Sequence, residues 1–125
     1  VYHSDGDIRE AIPMLIEAGV DALHPLEVRA VMDVFELKAR YGHQLAFIGN
    51  VDNSELLPRG TRQEIRREVL RKLTAARGGG YIIGSSHSIG PDVPVANYEY
   101  FRELVTRYGT RGPLYDIIER CEADG

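Results

Sequence analysis

The stretch QLAFIGNVD, residues 44–52, decides how this chain folds. Its apolar run shows no clean alternation of apolar and polar residues. That pattern marks a strand buried on both faces, as in a parallel sheet. The run ends at Gly49, and Asn50 and Asp52 follow at its C-terminal end. Three further stretches have the same form: VYHS at 1–4, VDALH at 20–24 and GYIIGS at 80–85. Each is followed by a polar loop and then by a helix that stops at glycine.

The segments between the strands carry helix signals. The first helix is expected from about Ala11 to Ala18, with Pro13 in its first turn and Gly19 past its end. The second starts at Asp33, with Glu36 three residues on in a capping-box arrangement, and closes at Gly42. In the third, Thr61 and Glu64 form the box, Ile65, Val69, Leu73 and Ala76 make the buried stripe, and Gly78 follows. Pro94 opens the fourth, whose core face reads as Tyr98, Phe101, Val105 and Tyr108, with Gly109 at its end. A terminal segment, 110–125, adds a short tail helix between Pro113 and Glu122.

Four βα units with short connections imply an α/β fold with a parallel sheet. One candidate is an open, doubly wound sheet. The other is half of a (β/α)₈ barrel, whose full size of ~250 residues is about twice the 125 here. The polar residues separate them. The strand ends deliver in turn His3 and Asp5, His24 and Glu27, Asn50 and Asp52, then Ser85, Ser86 and His87. In a barrel all strand ends open on one face, where barrel active sites sit. An open sheet concentrates its site at a single switch point. Polar groups on every strand end therefore favour the half-barrel. GGG at 78–80 follows a helix and is not read as a phosphate cradle.

Structural roles compete at each position. A lone histidine at a strand end is more often structural than chemical. Asp7, Asn50 and Asp52 are residue types that also stabilise turns. Asp33 and Thr61 are caps, and His43 lies at the opposite end from the strand-end face. What stands against a purely structural reading is four strand ends in register, two with histidine near carboxylate or hydroxyl.

Composition narrows the function classes. The chain is 43% hydrophobic and 27% charged, ordinary for one globular domain over 1–125. A net charge of -4 with mixed signs leaves no footprint for nucleic acid or an anionic membrane surface. The apolar runs fall far short of the ~20 residues of a spanning helix. The single cysteine, Cys121, excludes an intrachain disulfide and fits a reducing, cytoplasmic setting.

The order of motifs resembles the C-terminal half of the uroporphyrinogen decarboxylase (URO-D) superfamily. The matching pieces are DG at 5–6, EAGVD at 17–21, GNVD at 49–52, YIIGSSHSI at 81–89 and PDVPVANY at 91–98. The resemblance places His87, Pro91, Asp92, Pro94 and Asn97 in a His-bearing loop followed by a helix, and reaches to about Gly109. It implies a (β/α)₈ barrel with its site at the strand C-termini. On that likeness the chain is the last four βα units, cut within the fifth strand, and is expected to need its N-terminal half-barrel or a second copy. A lone half would expose two sheet edges and an apolar face.

Two activities follow from the resemblance. The first is cofactor-independent removal of acetate carboxylates from a tetrapyrrole in porphyrin biosynthesis, a lyase reaction. It places His87 and Asp5 as catalytic residues and His24, Asn50, Asp52 and Ser85 as substrate-binding residues. Ser86 and Ser88 flank His87 where the family carries glycines. The second is methyl transfer between a corrinoid and a thiol, which would place zinc on His3, Asp5 and His87. Decarboxylation is preferred because Asp5-Gly6 and His87 suit it without a metal. Outside the family, a non-catalytic half-barrel or a small-ligand binding module remains open.

Overall fold

The computed structural model describes residues 1–109. The expected tail helix, the segment 110–125 and Cys121 lie outside the described residues. Four strands form one sheet in the order of the sequence: β1 (Tyr2–His3), β2 (Ala22–His24), β3 (Ala46–Val51) and β4 (Tyr81–Ser85). Every neighbouring pair is parallel. A strand order that never reverses leaves no topological switch point, which rules against the doubly wound sheet. It is the arrangement of half a (β/α)₈ barrel.

β3 runs two residues beyond the expected strand, because Asn50 pairs with Gly84 and Val51 with Ser85. The other three strands are shorter than their apolar runs. In register, Tyr2, Leu23, Phe47 and Tyr81 form one row across the sheet. Leu23 and Phe47 are fully buried beneath the helices. The adjoining pair Ile48 and Ile82 belongs to the alternate row, and Ile82 is 61% exposed.

The helices are α1 (Ile12–Glu17), α2 (Val34–Tyr41), α3 (Leu56–Arg59), α4 (Arg62–Leu73) and α5 (Val95–Tyr108). A 3₁₀ turn at Arg9–Ala11 precedes α1, so the helix starts later than Ala11, and Pro13 is in its first turn. Asp33 caps α2 by accepting from the Phe35 and Glu36 N–H groups at 2.9 and 3.1 Å, while the Glu36 carboxylate faces Arg40 at 3.8 Å. Pro94 stands at the opening of α5 as its cap residue. Tyr98 is 39% exposed, and Leu104 takes the buried position on α5 beside Phe101 and Tyr108. Ala75, not Ala76, is buried after α4, because the chain tightens into a 3₁₀ turn at Thr74–Ala76 and rotates the stripe. The short helix α3, which carries a proline, gave no periodic signal.

The Thr61 box forms in full. The Thr61 hydroxyl accepts from Glu64 N–H at 3.2 Å, and Thr61 N–H donates to the Glu64 carboxylate at 2.8 Å. Thr61→Ala is expected to cost about 1 kcal/mol. Thr61→Ser, which keeps the acceptor, should cost a few tenths. Equal losses in denaturant titrations would show that the cap is not the cause.

Two clusters make the core. One joins β2 and β3 to α1 and α2 around Leu23, Phe47, Ile12 and Leu37. The other joins the end of β3 to α4 and α5 around Val51, Ile65, Val69 and Phe101. Ile83 packs against both. Among the described residues no helix is long and apolar enough to cross a membrane.

Candidate active site at the strand C-termini

His3 and His24 pair across β1 and β2, so their rings leave the same face of the sheet. Their Nδ1 atoms stand 2.9 Å apart and the ring centroids 5.0 Å apart. At that separation one Nδ1 carries the proton and the other accepts it. Burial pushes the His24 pKa below its ordinary value, and the neighbouring His3 charge adds to the shift.

Asp5 lies between two imidazoles. Its Oδ1 is 3.8 Å from His3 Nε2 and 3.4 Å from His87 Nε2. His87 arrives from the opposite edge of the sheet, so this meeting depends on the loop after β4 reaching inward. That loop is fixed by its own residues. The Ser85 hydroxyl donates to the His87 carbonyl at 2.6 Å, and Ser88 N–H donates to His87 Nδ1 at 3.0 Å. Because Nδ1 accepts, a neutral His87 carries its proton on Nε2, the nitrogen that faces Asp5. On the other side, Gly6 N–H donates to Glu27 Oε2 at 2.7 Å and ties the Asp5 loop to the loop after β2.

The remaining candidates are engaged by hydrogen bonds within the chain. Asn50 has 1% exposure and a left-handed backbone at φ 76°. Its Oδ1 accepts from Val34 N–H at 3.1 Å and from the Lys72 ammonium. Its Nδ2 donates to the carbonyls of Leu26, at 3.1 Å, and Met32. Asn50, expected to bind substrate, is buried and holds the loop after β2. The Asp52 carboxylate accepts from Ser54 N–H and Oγ at 2.9 and 2.6 Å, and from Glu55 and Leu56 N–H at 3.3 Å. Burial acts to raise its pKa, but these donors outweigh it and hold the carboxyl below its usual value. Asp7 is a turn residue. Arg9 donates to it from backbone and side chain and draws its pKa down to about 2.

Among the described residues no group of three or more His, Cys, Asp or Glu side chains is arranged to hold a metal ion. His3, Asp5 and His87 meet as a row of side chains around one carboxylate, at 3.8 and 3.4 Å, and not as a coordination shell. Beside this row is a cleft of about 180 Å³ lined by Glu27, Arg29, Asn53, Ser54, Ser86 and His87. Arg29, Asn53 and Ser54 escape a sequence reading, since single polar residues in loops carry no periodic or spacing signal.

The family model described as uroporphyrinogen decarboxylase (URO-D) matches residues 1–108. The chain belongs to the URO-D family. It is 35% identical over 99 residues to a uroporphyrinogen decarboxylase of Actinobacillus succinogenes, covering 78% of this chain and 26% of that protein. It is 36% identical over 89 residues to a uroporphyrinogen decarboxylase of a Synechococcus species, covering 71% of this chain and 24% of that protein. The chain thus spans about a quarter of the length of the curated URO-D relatives it matches. The half-barrel and its strand-end residues lie within the matched segment.

The His24 environment gives a pH signature for this URO-D chain. A folded pKa below the unfolded value near 6.5 means that the unfolded chain binds more protons between the two. Stability from this site is present above the unfolded pKa and is lost as pH falls through that window. His24→Asn is expected to flatten the stability–pH slope just below pH 6.5. An unchanged slope would show that His24 titrates as it does in the unfolded chain.

Proposed function

We propose that this chain supplies the C-terminal strand-end part of a decarboxylase site acting on a carboxylate-bearing tetrapyrrole, without a cofactor. The observation that carries the reading is the Asp5 carboxylate lying between His3 and His87 at the C-terminal end of a parallel sheet. The curated relatives named uroporphyrinogen decarboxylase support the same reaction class.

The chemistry needs a proton and a place for an electron pair. A proton delivered to a pyrrole carbon makes the ring cationic. The bond between the acetate methylene and its carboxylate then breaks, the electron pair flows toward the ring, and CO₂ leaves. A second proton reaches the methylene carbon as the ring gives one back, so each acetate becomes a methyl group with one proton consumed overall. His87 suits proton delivery because Ser88 holds its Nδ1 and leaves Nε2 to exchange. Asp5 sits beside that nitrogen, orients the ring and offers a route for the proton to return. The other half-barrel, supplied in the same polypeptide or by a second copy, would close the face on which Ile82 is exposed. The single cysteine supports a reducing, cytoplasmic setting.

The test is turnover of uroporphyrinogen by a protein that carries this chain at the full length of its relatives. His87→Ala and Asp5→Asn are each expected to lower kcat at least ~100-fold, within the range of a lost acid–base group. A change under ~tenfold, about 1.4 kcal/mol, would place the chemistry elsewhere. Stoichiometric zinc that is lost in both His3→Ala and His87→Ala would overturn the reading in favour of methyl transfer.

A further inference from the structure

The strand-end cleft adjoins the Asp5 row through His87 and adds a guanidinium, that of Arg29. The loops after β2, β3 and β4 each contribute to it: Glu27 and Arg29, then Asn53 and Ser54, then Ser86 and His87. Most of its polar groups are already committed within the protein. Glu27 Oε2 accepts from Gly6 N–H at 2.7 Å. The Ser54 hydroxyl donates to Asp52 at 2.6 Å, the Ser86 hydroxyl donates to Asn53 Oδ1 at 3.0 Å, and Asn53 Nδ2 donates to the Ser88 carbonyl at 2.7 Å. These bonds fix the walls and leave Arg29 as the one cationic side chain of the lining, with its guanidinium donors to spare. Arg29 forms no salt bridge among the described residues, whereas Arg9 and Arg59 elsewhere on the surface are each clamped to a carboxylate. A 3₁₀ turn at Val28–Ala30 presents Arg29, and the turn is followed by the left-handed Val31 at φ 60°. The loop beneath it is anchored by Asn50 through the Leu26 and Met32 carbonyls. An unpaired guanidinium on an anchored loop, beside His87, is a receptor for a carboxylate, which it can bind with two parallel N–H···O bonds.

We propose that this cleft is a carboxylate subsite, in which Arg29 holds one carboxylate arm of the substrate while His87 faces the ring that carries it. The inference rests on the tetrapyrrole reading above and deepens it. Arg29 is a specificity-determining residue: it binds the substrate equally in ground and transition states. Its loss therefore acts chiefly on KM.

The experiment uses the full-length protein, with uroporphyrin and its fully methyl-esterified form as fluorescent binding probes and uroporphyrinogen as substrate. Arg29→Gln is expected to weaken uroporphyrin binding by about 10- to 100-fold, the size of a lost charge-assisted pair. KM should rise by a similar factor, with a much smaller fall in kcat. Arg29→Lys, which keeps the charge without the fork, should recover part of the loss. The salt dependence of uroporphyrin binding should be shallower in Arg29→Gln, and the ester should bind both proteins alike. Unchanged uroporphyrin binding in Arg29→Gln overturns the subsite while parental turnover still upholds the decarboxylase reading. A parental protein that neither binds uroporphyrin nor turns over uroporphyrinogen overturns both. An equal loss of ester and uroporphyrin binding in Arg29→Gln also overturns the subsite, since it marks a change of loop shape and not of charge recognition.

Discussion

Gly49→Ala is expected to cost about 2–6 kcal/mol, from backbone strain of roughly 1–3 and overpacking of roughly 1–3. That is a large fraction of the ~5–15 kcal/mol that holds an ordinary domain. Gly49 lies inside β3 with φ 114°, where side chains are disfavoured. A Cβ there would stand 2.1 Å from the Pro25 carbonyl oxygen and 3.1 Å from that of Ser85. Both obstacles are backbone, and the strand is paired on both sides, so no flexible side chain can yield. The Gly49 carbonyl also accepts from the Tyr81 hydroxyl at 2.7 Å, so the peptide cannot rotate freely away. Gly78 is the control. Its φ is 77°, but nothing lies within 4 Å of the Cβ position. Gly78→Ala should cost only the left-handed conformation, about 1–2 kcal/mol. Denaturant titration of the two variants gives the comparison. Similar losses would mean that the clash at Gly49 relaxes and that its packing is not the constraint.

Asn50→Leu should destabilise by about 3–5 kcal/mol, because it leaves the buried Lys72 ammonium without its acceptor. It also strands the Leu26 and Met32 carbonyls and the Val34 N–H. Lys72 is 3% exposed, and among the described residues Glu68, at 3.6 Å, is its ion-pair partner. Lys72→Met is expected to be near neutral or stabilising, since it removes a buried charge and Asn50 keeps Val34 as donor. The double substitution should recover part of the Asn50→Leu loss, which a double-mutant cycle reads as coupling. If Lys72→Met costs as much as Asn50→Leu, the lysine stabilises the fold directly and the asymmetry is absent. Burial holds the Lys72 pKa below its ordinary 10.5. The unfolded chain therefore binds more protons between the depressed value and 10.5, and stability rises with pH across that window. Lys72→Met should lack this rise when compared with the parent.

The helices and the cap at Thr61 were legible because their signals are local: a hydroxyl, a carboxylate three residues on and an apolar stripe are read within one or two turns. The strand order was legible because four buried runs with short helical connections admit few topologies. The strand-end histidines could be named for the same reason, as each follows a recognisable apolar run. The role of Asn50 was not legible. Asn at a strand end looks alike whether it faces substrate or the core, and only the reversed backbone at Gly49 and Asn50 sends its amide inward.

By itself the sequence determined the α/β class, the parallel order and the end of the sheet at which polar groups collect, since hydrophobic periodicity and chain connectivity are properties of consecutive residues. Only the tertiary structure decided which of those groups meet. Asp5 and His87 are 82 positions apart in the numbering, in the loops after opposite edge strands, and come to 3.4 Å because hydrogen bonds set the shapes of those loops. The same holds for the tie from Asn50 to Lys72 and for the cleft around Arg29. Loop conformation depends on a few directional bonds between distant residues, and such bonds leave no periodic trace in the sequence.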